Sequence, residues 1–313
     1  MKIAITGSTG LIGSRFADLF KDKHKLFHVN LSSGADITDR KALHGLLSRA
    51  NPSLILHLAA KTNVDGCEKD KNSDITDLKD QGVYVNNEVD LGSLKTENWK
   101  DKTTAFAVNV VGTKNLADWA RENNVKIIYV STDFVFDGGK EDLYEEIDDP
   151  NPINWYGQTK LWGEKSINDS GLIVRPAYPF GYKSLAKKDF IWTIIELLET
   201  RDSIKLISDQ IITPTFIEDI AMGIDFLIEK GTLGIVNLVG NDFLSPYEIG
   251  MLLAQEFSLN KAKIGKISMD EFYSGSAKRP FKVRLQNDKL RNLGFEMTDF
   301  YEALKKISSK SRT

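Results

Sequence analysis

The sequence predicts an α/β protein, a doubly wound parallel sheet followed by a smaller C-terminal α+β lobe. Three observations carry that expectation. Short β-branched apolar runs alternate with stretches of helical periodicity over residues 1–178. A glycine-rich turn joins the first such run to the first helical stretch, and beyond Pro176 the rhythm loosens. Strands alternating with helices at these lengths pair in parallel, each joined to the next by a crossover helix.

Lys2–Thr6 (KIAIT) reads as a buried strand ending at glycine, and 11–22 places Leu11, Ile12, Phe16, Leu19 and Phe20 at helical spacing. A strand at 25–31, a helix at 39–49 and a strand at 53–60 (SLILHLAA) follow. A helix over 103–123 leads to a strand at 126–132, and a helix over 153–168 to a strand at 172–177. The last third is expected to hold helices over 187–201 and 217–230, a loop or strand at 209–216 and a strand at 234–240. A further helix opens at Ser245, with Glu248 at the spacing of a capping box. The expected division is a first domain of 1–178, to which 213–240 returns, and a lobe of 179–212 and 241–313.

Residues 66–102 break the alternation and read as an insertion, polar and charged with scattered apolar positions. Within it 83–89 (VYVNNEV) predicts a hairpin around Asn86-Asn87. Val83, Tyr84, Val85, Leu91, Leu94 and Trp99 favour an ordered segment, since a disordered one has little use for them. Long connections in such places often act as lids or subunit contacts.

Of 313 residues, 41% are hydrophobic and 27% charged, as in ordinary soluble globular proteins. The 41 basic and 44 acidic side chains are mixed along the chain, which argues against nucleic acid as a partner. The one cysteine, Cys67, cannot form an internal disulfide and is expected to be a surface or half-buried, unreactive thiol. No leader is expected before the first strand, and no apolar run approaches the ~18 residues of a membrane helix. The expectation is a cytoplasmic protein without a membrane partner. His24, His28, His44 and His57 lack metal-ligand spacing, so no metal is expected, and His57 reads as a buried, hydrogen-bonded histidine. The acidic run 141–149 reads as a solvated loop.

Gly7, Gly10 and Gly13 (GSTGLIG) stand between the first strand and the first helix. That context suits a dinucleotide: the turn needs unusual backbone angles, a Cβ would hold a pyrophosphate away, and the helix N-terminus offers free N–H groups. About 20 residues on, where an acid would select NAD, stands Asn30. It removes a repulsion against a 2′-phosphate, and Ser32 and Ser33 are potential donors to that group. No arginine follows, so NADPH is only slightly favoured over NADH. Tyr156 and Lys160 lie four apart on one helix face, where an ammonium would lower the phenol's ordinary pKa of about 10 and make it a usable acid. Ser131-Thr132-Asp133 ends a strand at the edge where ligands sit in such sheets. Thr132, Tyr156 and Lys160 together suit a carbonyl reductase.

The glycine motif, the Tyr156/Lys160 pair and Asp36-Ile37-Thr38-Asp39 resemble extended short-chain dehydrogenases with a Rossmann-type sheet. More narrowly, HLAAKTNVD (57–65), NVVGT (109–113), STDFVFDG (131–138), YGQTKLWGEK (156–165), DQIITPTFIEDIA (209–221) and RPFKVRL (279–285) resemble the dTDP-4-dehydrorhamnose reductase family. The resemblance implies a reductase of a nucleotide-activated 4-keto-6-deoxy sugar, with that sugar nucleotide as its partner and a homodimer as its candidate assembly. It implies that Gly10, Leu11 and Ile12 hold the pyrophosphate and that Asp36 and Ile37 hold the adenine. Ala59, Ala60 and Lys61 would line the rest of the dinucleotide, Tyr156 and Lys160 the nicotinamide ribose, and Thr132 and Asp133 the sugar, in a cleft between the lobes. Two departures touch the sugar side: Tyr178 stands where the family has tryptophan, and 66–102 lies outside the family's usual pattern. Two alternatives stay open. A 4,6-dehydratase or 4-epimerase is one, although Thr132-Asp133-Phe134 lacks the second carboxylate of a dehydratase. A non-catalytic NADP-binding subunit, like the methionine adenosyltransferase β-subunit, is the other.

Overall fold

The computed structural model describes residues 1–31, 34–167, 171–182 and 188–311. The chain opens with β1 (Lys2–Thr6), α1 (Leu11–Phe20), β2 (Lys25–Val29), α2 (Arg40–Ala50), β3 (Leu54–His57) and α3 (Val64–Asp80). A hairpin of β4 (Tyr84–Val85) and β5 (Glu88–Val89) precedes α4 (Gly112–Glu122), which is entered through a π turn at Ala107–Val111. Then come β6 (Lys126–Val130), α5 (Trp155–Ile167) and β7 (Leu172–Arg175). The remainder holds β8 (Pro179–Phe180), α6 (Phe190–Thr200), β9 (Ile204–Ile207), β10 (Thr215–Phe216), α7 (Ile217–Lys230), β11 (Gly234–Asn237) and α8 (Pro246–Glu256). It closes with β12 (Ile264–Ile267), α9 (Met269–Phe272), α10 (Asp288–Leu293) and α11 (Phe300–Ser311).

Six strands form the central sheet in the order β11-β7-β6-β3-β1-β2. β1 pairs in parallel with β2 and β3, and β6 in parallel with β3 and β7. Chain direction across the sheet reverses between β1 and β3, so the loops after these two strands flank the switch point where such sheets bind ligands. Both strands are buried along nearly their whole length, as a sheet covered on both sides requires.

One expected strand ends early because its backbone donors find a side chain instead of a neighbouring strand. The strand expected over 53–60 stops at His57, where the N–H groups of Leu58 and Ala59 each donate to Thr6 Oγ1 at 3.1 Å. Asp39 caps α2 by accepting from Ala42 N–H, and Asn63 caps α3 by accepting from Gly66 N–H. The hairpin turns on Asn86 and Asn87 with φ of 52° and 63°, the left-handed pair of a type I′ turn that asparagine tolerates. The capping box of Ser245 and Glu248 is formed at α8.

The chain divides into two compact units. The first comprises 1–135, 152–174 and 232–235, and the second 136–151, 175–231 and 236–313. Of 213–240, expected beside the first domain, only 232–235 folds with the first unit, and 136–151 and 175–178, expected in the first domain, fold with the second. In the first unit one core lies under α2 and α4 around Leu43, Leu47, Leu116, Trp119 and Ile127. In the second, α6, α8 and α11 pack their apolar faces around Ile191, Ile195, Leu253, Phe300 and Leu304. Here β8 pairs with β10 and β9 with β12, each in parallel. The acidic run is tethered within this unit: Lys140 Nζ meets Asp148 at 2.6 Å and Asn237 N–H donates to Glu146.

The segment read as an insertion is largely built into the first unit. α3 occupies its first half, and Leu78, Val83, Leu94 and Trp99 join a core with Phe106, Trp155, Tyr156 and Trp162. Only Val85 of its apolar residues is exposed, while Tyr84 and Leu91 are half-buried. The periodicity was illegible because α3 buries a carboxylate, Asp74, where a helix would normally show an apolar residue.

Candidate active site

The glycine turn begins at the end of β1. Gly7 has φ of 64°, and a Cβ there would lie 2.6 Å from Ala59 N. A Cβ on Gly13 would lie 2.3 Å from Gly7 O, so only glycine lets α1 start this close to the strand. No side chain caps α1 at Gly10, which leaves its first-turn N–H groups to an anion. These features fit a dinucleotide pyrophosphate at Gly10, Leu11 and Ile12.

β2 ends in a polar knot on this turn. Ser8 Oγ receives the Asn30 amide at 2.8 Å and lies 2.7 Å from His28 Nδ1. Ser32 and Ser33 lie outside the described residues. Asp36 Oδ1 accepts from both the N–H and the hydroxyl of Thr38, fixing the turn that places Ile37 against Gly112.

The loop after β3 is held by a ring of hydrogen bonds. Thr6 and Thr113 each have one hydroxyl proton to give. Thr113 gives its proton to Asn109 O at 2.7 Å, so it accepts from His57 Nε2–H at 2.9 Å. His57 Nδ1 then accepts from Thr6, whose oxygen receives the Leu58 and Ala59 amides. That assignment makes His57 neutral, and burial, helped by Lys160, pushes its pKa down to about 3. The expectation of a buried, hydrogen-bonded histidine is met. Asn109 closes the ring: its Oδ1 accepts from Lys61 N–H at 2.8 Å, while its Nδ2 donates to Lys61 O and Thr159 Oγ1. It projects from the π turn, a device frequent at functional sites.

Asn109 opens the run NVVGT (109–113), yet the sequence assigns it no role. Its partners Lys61 and Thr159 lie 48 and 50 residues away, so no local pattern reveals it. Cys67 is fully buried, not at the surface or half-buried, with Sγ donating to Lys61 O and burial pushing its pKa up to about 12. Such a thiol is inert.

At the carboxyl end of β6, Thr132 and Asp133 are buried, with Thr132 Oγ1 donating to Asp133 Oδ1 at 3.1 Å. α5 brings Tyr156 to the same place, hydrogen-bonded to Thr132 and packed edge-on against Phe134 at 5.6 Å. Close approach is possible because α5 carries Gly157 and Gly163, where a Cβ would strike Phe134 O and Tyr129 Oη. Lys160, one turn along, donates to Val130 O at 2.7 Å and lies 4.1 Å from the centre of the Tyr129 ring. The structure thus gathers Thr132, Asp133 and Tyr156 at the end of β6, with Lys160 one turn along α5.

One electrostatic expectation is corrected. Lys160 was expected to lower the phenol's pKa, but burial dominates both groups. Burial pushes Tyr156 above its ordinary value and Lys160 down to about 7. Burial also raises Asp133 to about 7, against hydrogen bonds that oppose the rise. Near neutrality the site holds a protonated phenol beside two groups poised to gain or lose a proton. In the second unit Tyr178 stands at φ of 38°, a costly conformation for an aromatic residue, with its carbonyl accepting from Thr215 N–H.

A doubly wound sheet with a glycine turn at its switch point and a Thr–Tyr–Lys group at its carboxyl end defines an NAD(P)-dependent oxidoreductase of the extended short-chain type. Comparison with known proteins narrows this: the chain belongs to the family described as RmlD substrate binding domain, whose model matches residues 1–82 and 95–313. Only 83–94 stands outside the match, so the insertion expected over 66–102 shrinks to the hairpin and its flanks. A dTDP-4-dehydrorhamnose reductase of Aggregatibacter actinomycetemcomitans is 28% identical, with 98% of each chain covered. A solved dTDP-4-dehydrorhamnose reductase of Bacillus anthracis, in complex with NADP, superposes with a TM-score of 0.82 at 25% identity over 99% of each chain. A methionine adenosyltransferase 2 subunit beta of Xenopus laevis is 27% identical, covering 93% of this chain and 81% of that one. Among the described residues no helix is long and apolar enough to cross a membrane, and no cluster of His, Cys, Asp and Glu could hold a metal.

Proposed function

We propose that this protein reduces the keto group of a 4-keto-6-deoxy sugar carried on a nucleoside diphosphate, using NADPH in preference to NADH. The observation that carries the proposal is the convergence of Thr132, Tyr156 and Lys160 at the carboxyl end of the sheet that bears the glycine turn. The named reductases of the same family, one of them an NADP complex, support the substrate class and the cofactor.

The reduced dinucleotide, when bound, would supply the hydride for the keto carbon. The protein's part is to hold the keto oxygen and to protonate it. Thr132 anchors that oxygen. Tyr156, kept protonated by burial, gives up its proton as negative charge develops there. Lys160, with a pKa of about 7, can return a proton to the phenol near neutral pH. Asp133 would hold a sugar hydroxyl. Gly10, Leu11 and Ile12 would take the pyrophosphate, Asp36 and Ile37 the adenine, and Ala59, Ala60 and Lys61 the remaining dinucleotide. Tyr156 and Lys160 would grip the nicotinamide ribose. Asn30 presents no carboxylate to repel a 2′-phosphate, which supports NADPH. The same reading places the protein in the cytoplasm, where a free thiol such as Cys67 stays reduced.

Purified protein incubated with NADPH and a dTDP-4-keto-6-deoxyhexose should consume the two in equal amounts and yield the 4-hydroxy sugar. Cofactor binding without oxidation would support a non-catalytic subunit, and sugar conversion without net cofactor use would support an epimerase or dehydratase. Either would overturn the proposal.

A further inference from the structure

α3 faces α5 with two carboxylates that both reach Trp155, the residue immediately before Tyr156. Glu68 Oε2 accepts from the Trp155 backbone N–H at 2.7 Å, and Asp74 Oδ2 accepts from its indole N–H, also at 2.7 Å. The first is a helix cap delivered from 87 residues away, at an N-terminus where negative charge is favoured. The second is costlier. Asp74 is fully buried, its Oδ1 has no hydrogen-bond partner, and its Oδ2 also receives Phe106 N–H. A helix position that needed only packing would hold an apolar residue there, and burying an under-satisfied carboxylate is destabilising. One turn earlier Asp70 pairs with Lys61 Nζ at 2.6 Å and receives Ala105 N–H at 2.8 Å. One helix therefore fastens the start of α5, the entry to α4 and the loop after β3.

We infer that Asp74 and Glu68 are positioning residues that seat the Tyr156 phenol through Trp155. The Trp155 ring packs edge-on to Trp162 at 5.3 Å, so indole and helix move together. With the backbone N–H and the indole N–H both held, the first turn of α5 has little freedom to rotate, and the Tyr156 side chain inherits that restraint. The inference rests on the reading of Tyr156 as the proton donor.

Trp155→Phe keeps an aromatic ring at this position while removing the indole donor and part of the ring volume, and Asp74→Asn keeps the packing and an acceptor for the indole. Misplacing a reacting group by about 1 Å costs on the order of 10²-fold in rate. Trp155→Phe and Asp74→Ala should therefore lower kcat by roughly 10- to 100-fold while KM for the sugar nucleotide and Kd for NADPH change by less than about 3-fold. Asp74→Asn should recover most of the loss. Protein labelled with 3-fluorotyrosine gives a substrate-independent readout, its Tyr156 resonance being assigned by its disappearance in Tyr156→Phe. That line should broaden or split in Trp155→Phe and stay sharp in Asp74→Asn. A Trp155→Phe variant with wild-type kcat and an unchanged fluorine line would overturn the inference. So would an Asp74→Asn variant as impaired as Asp74→Ala. Wild-type protein inert toward every keto sugar nucleotide would defeat the reductase reading instead, and the fluorine line would then decide the positioning question alone.

Discussion

Asn109→Ala tests the ring that holds the loop after β3. The amide makes three hydrogen bonds, accepting from Lys61 N–H and donating to Lys61 O and Thr159 Oγ1. Leaving the Lys61 N–H without its partner costs about 1–3 kcal/mol, and losing the other two bonds about 0.5–1.5 kcal/mol each. Lys61 is only half-buried, so water can recover part of this, and the loss should settle at about 2–4 kcal/mol. Urea unfolding followed by circular dichroism reads it as a fall in midpoint at unchanged slope. Because Ala59, Ala60 and Lys61 are assigned to the cofactor, NADPH affinity measured by calorimetry should weaken on the order of 10-fold, or about 1.4 kcal/mol. A loss under about 1 kcal/mol with unaltered NADPH affinity would show that the loop needs no clip.

Tyr156→Phe should lower turnover by roughly 10²- to 10⁴-fold with little change in NADPH affinity, and near-wild-type turnover would remove the phenol from the chemistry. Asn30→Asp should shift preference toward NADH, read by titrating both cofactors; a wild-type protein that already prefers NADH contradicts the Asn30 argument. Folded Lys160 loses its proton near pH 7, whereas in the unfolded chain it keeps it up to its ordinary 10.5. The unfolded state thus binds more protons between those values, so stability should rise with pH across that window by up to about 1.4 kcal/mol per unit, and Lys160→Met should flatten the rise. Replacing 83–94 by a short linker should leave a folded protein with a lowered Tm, because Trp162 loses its hairpin cover, where Tyr84 packs edge-on and Glu88 accepts from its indole. Removing 68–100 should abolish folding, as it deletes Glu68, Asp70 and Asp74, and a stable, active product would show that the fold does not need these fastenings.

The sequence made the periodic part of this molecule legible. β1, β3 and β6 are short apolar runs, α1 and α2 carry apolar residues at helical spacing, and the Gly7–Gly13 turn announces itself between two such elements. The Asn86-Asn87 hairpin could be read because two adjacent left-handed residues have a local chemical signature. What escaped were the side-chain fastenings made across the longest sequence separations. Asn109 and Lys61 are 48 residues apart, Asp74 and Trp155 are 81, and Arg40 meets Asp118 across 78. Nothing local marks these side chains as partners. In α3 the omission had a second cause, for a helix that gives one of its three buried positions, Asp74, to a carboxylate carries a broken apolar stripe. The same physics explains why the ionisation of the site was misjudged. Spacing puts Lys160 one turn from Tyr156 and suggests a cation tuning a phenol, but only the fold reveals that both are withdrawn from water. Desolvation opposes charge on either group, so it keeps the phenol protonated and makes the amine easy to deprotonate. A donor that holds its proton until negative charge appears beside it is what reduction of a carbonyl requires, and here burial secures it without a permanent cation next to the phenol.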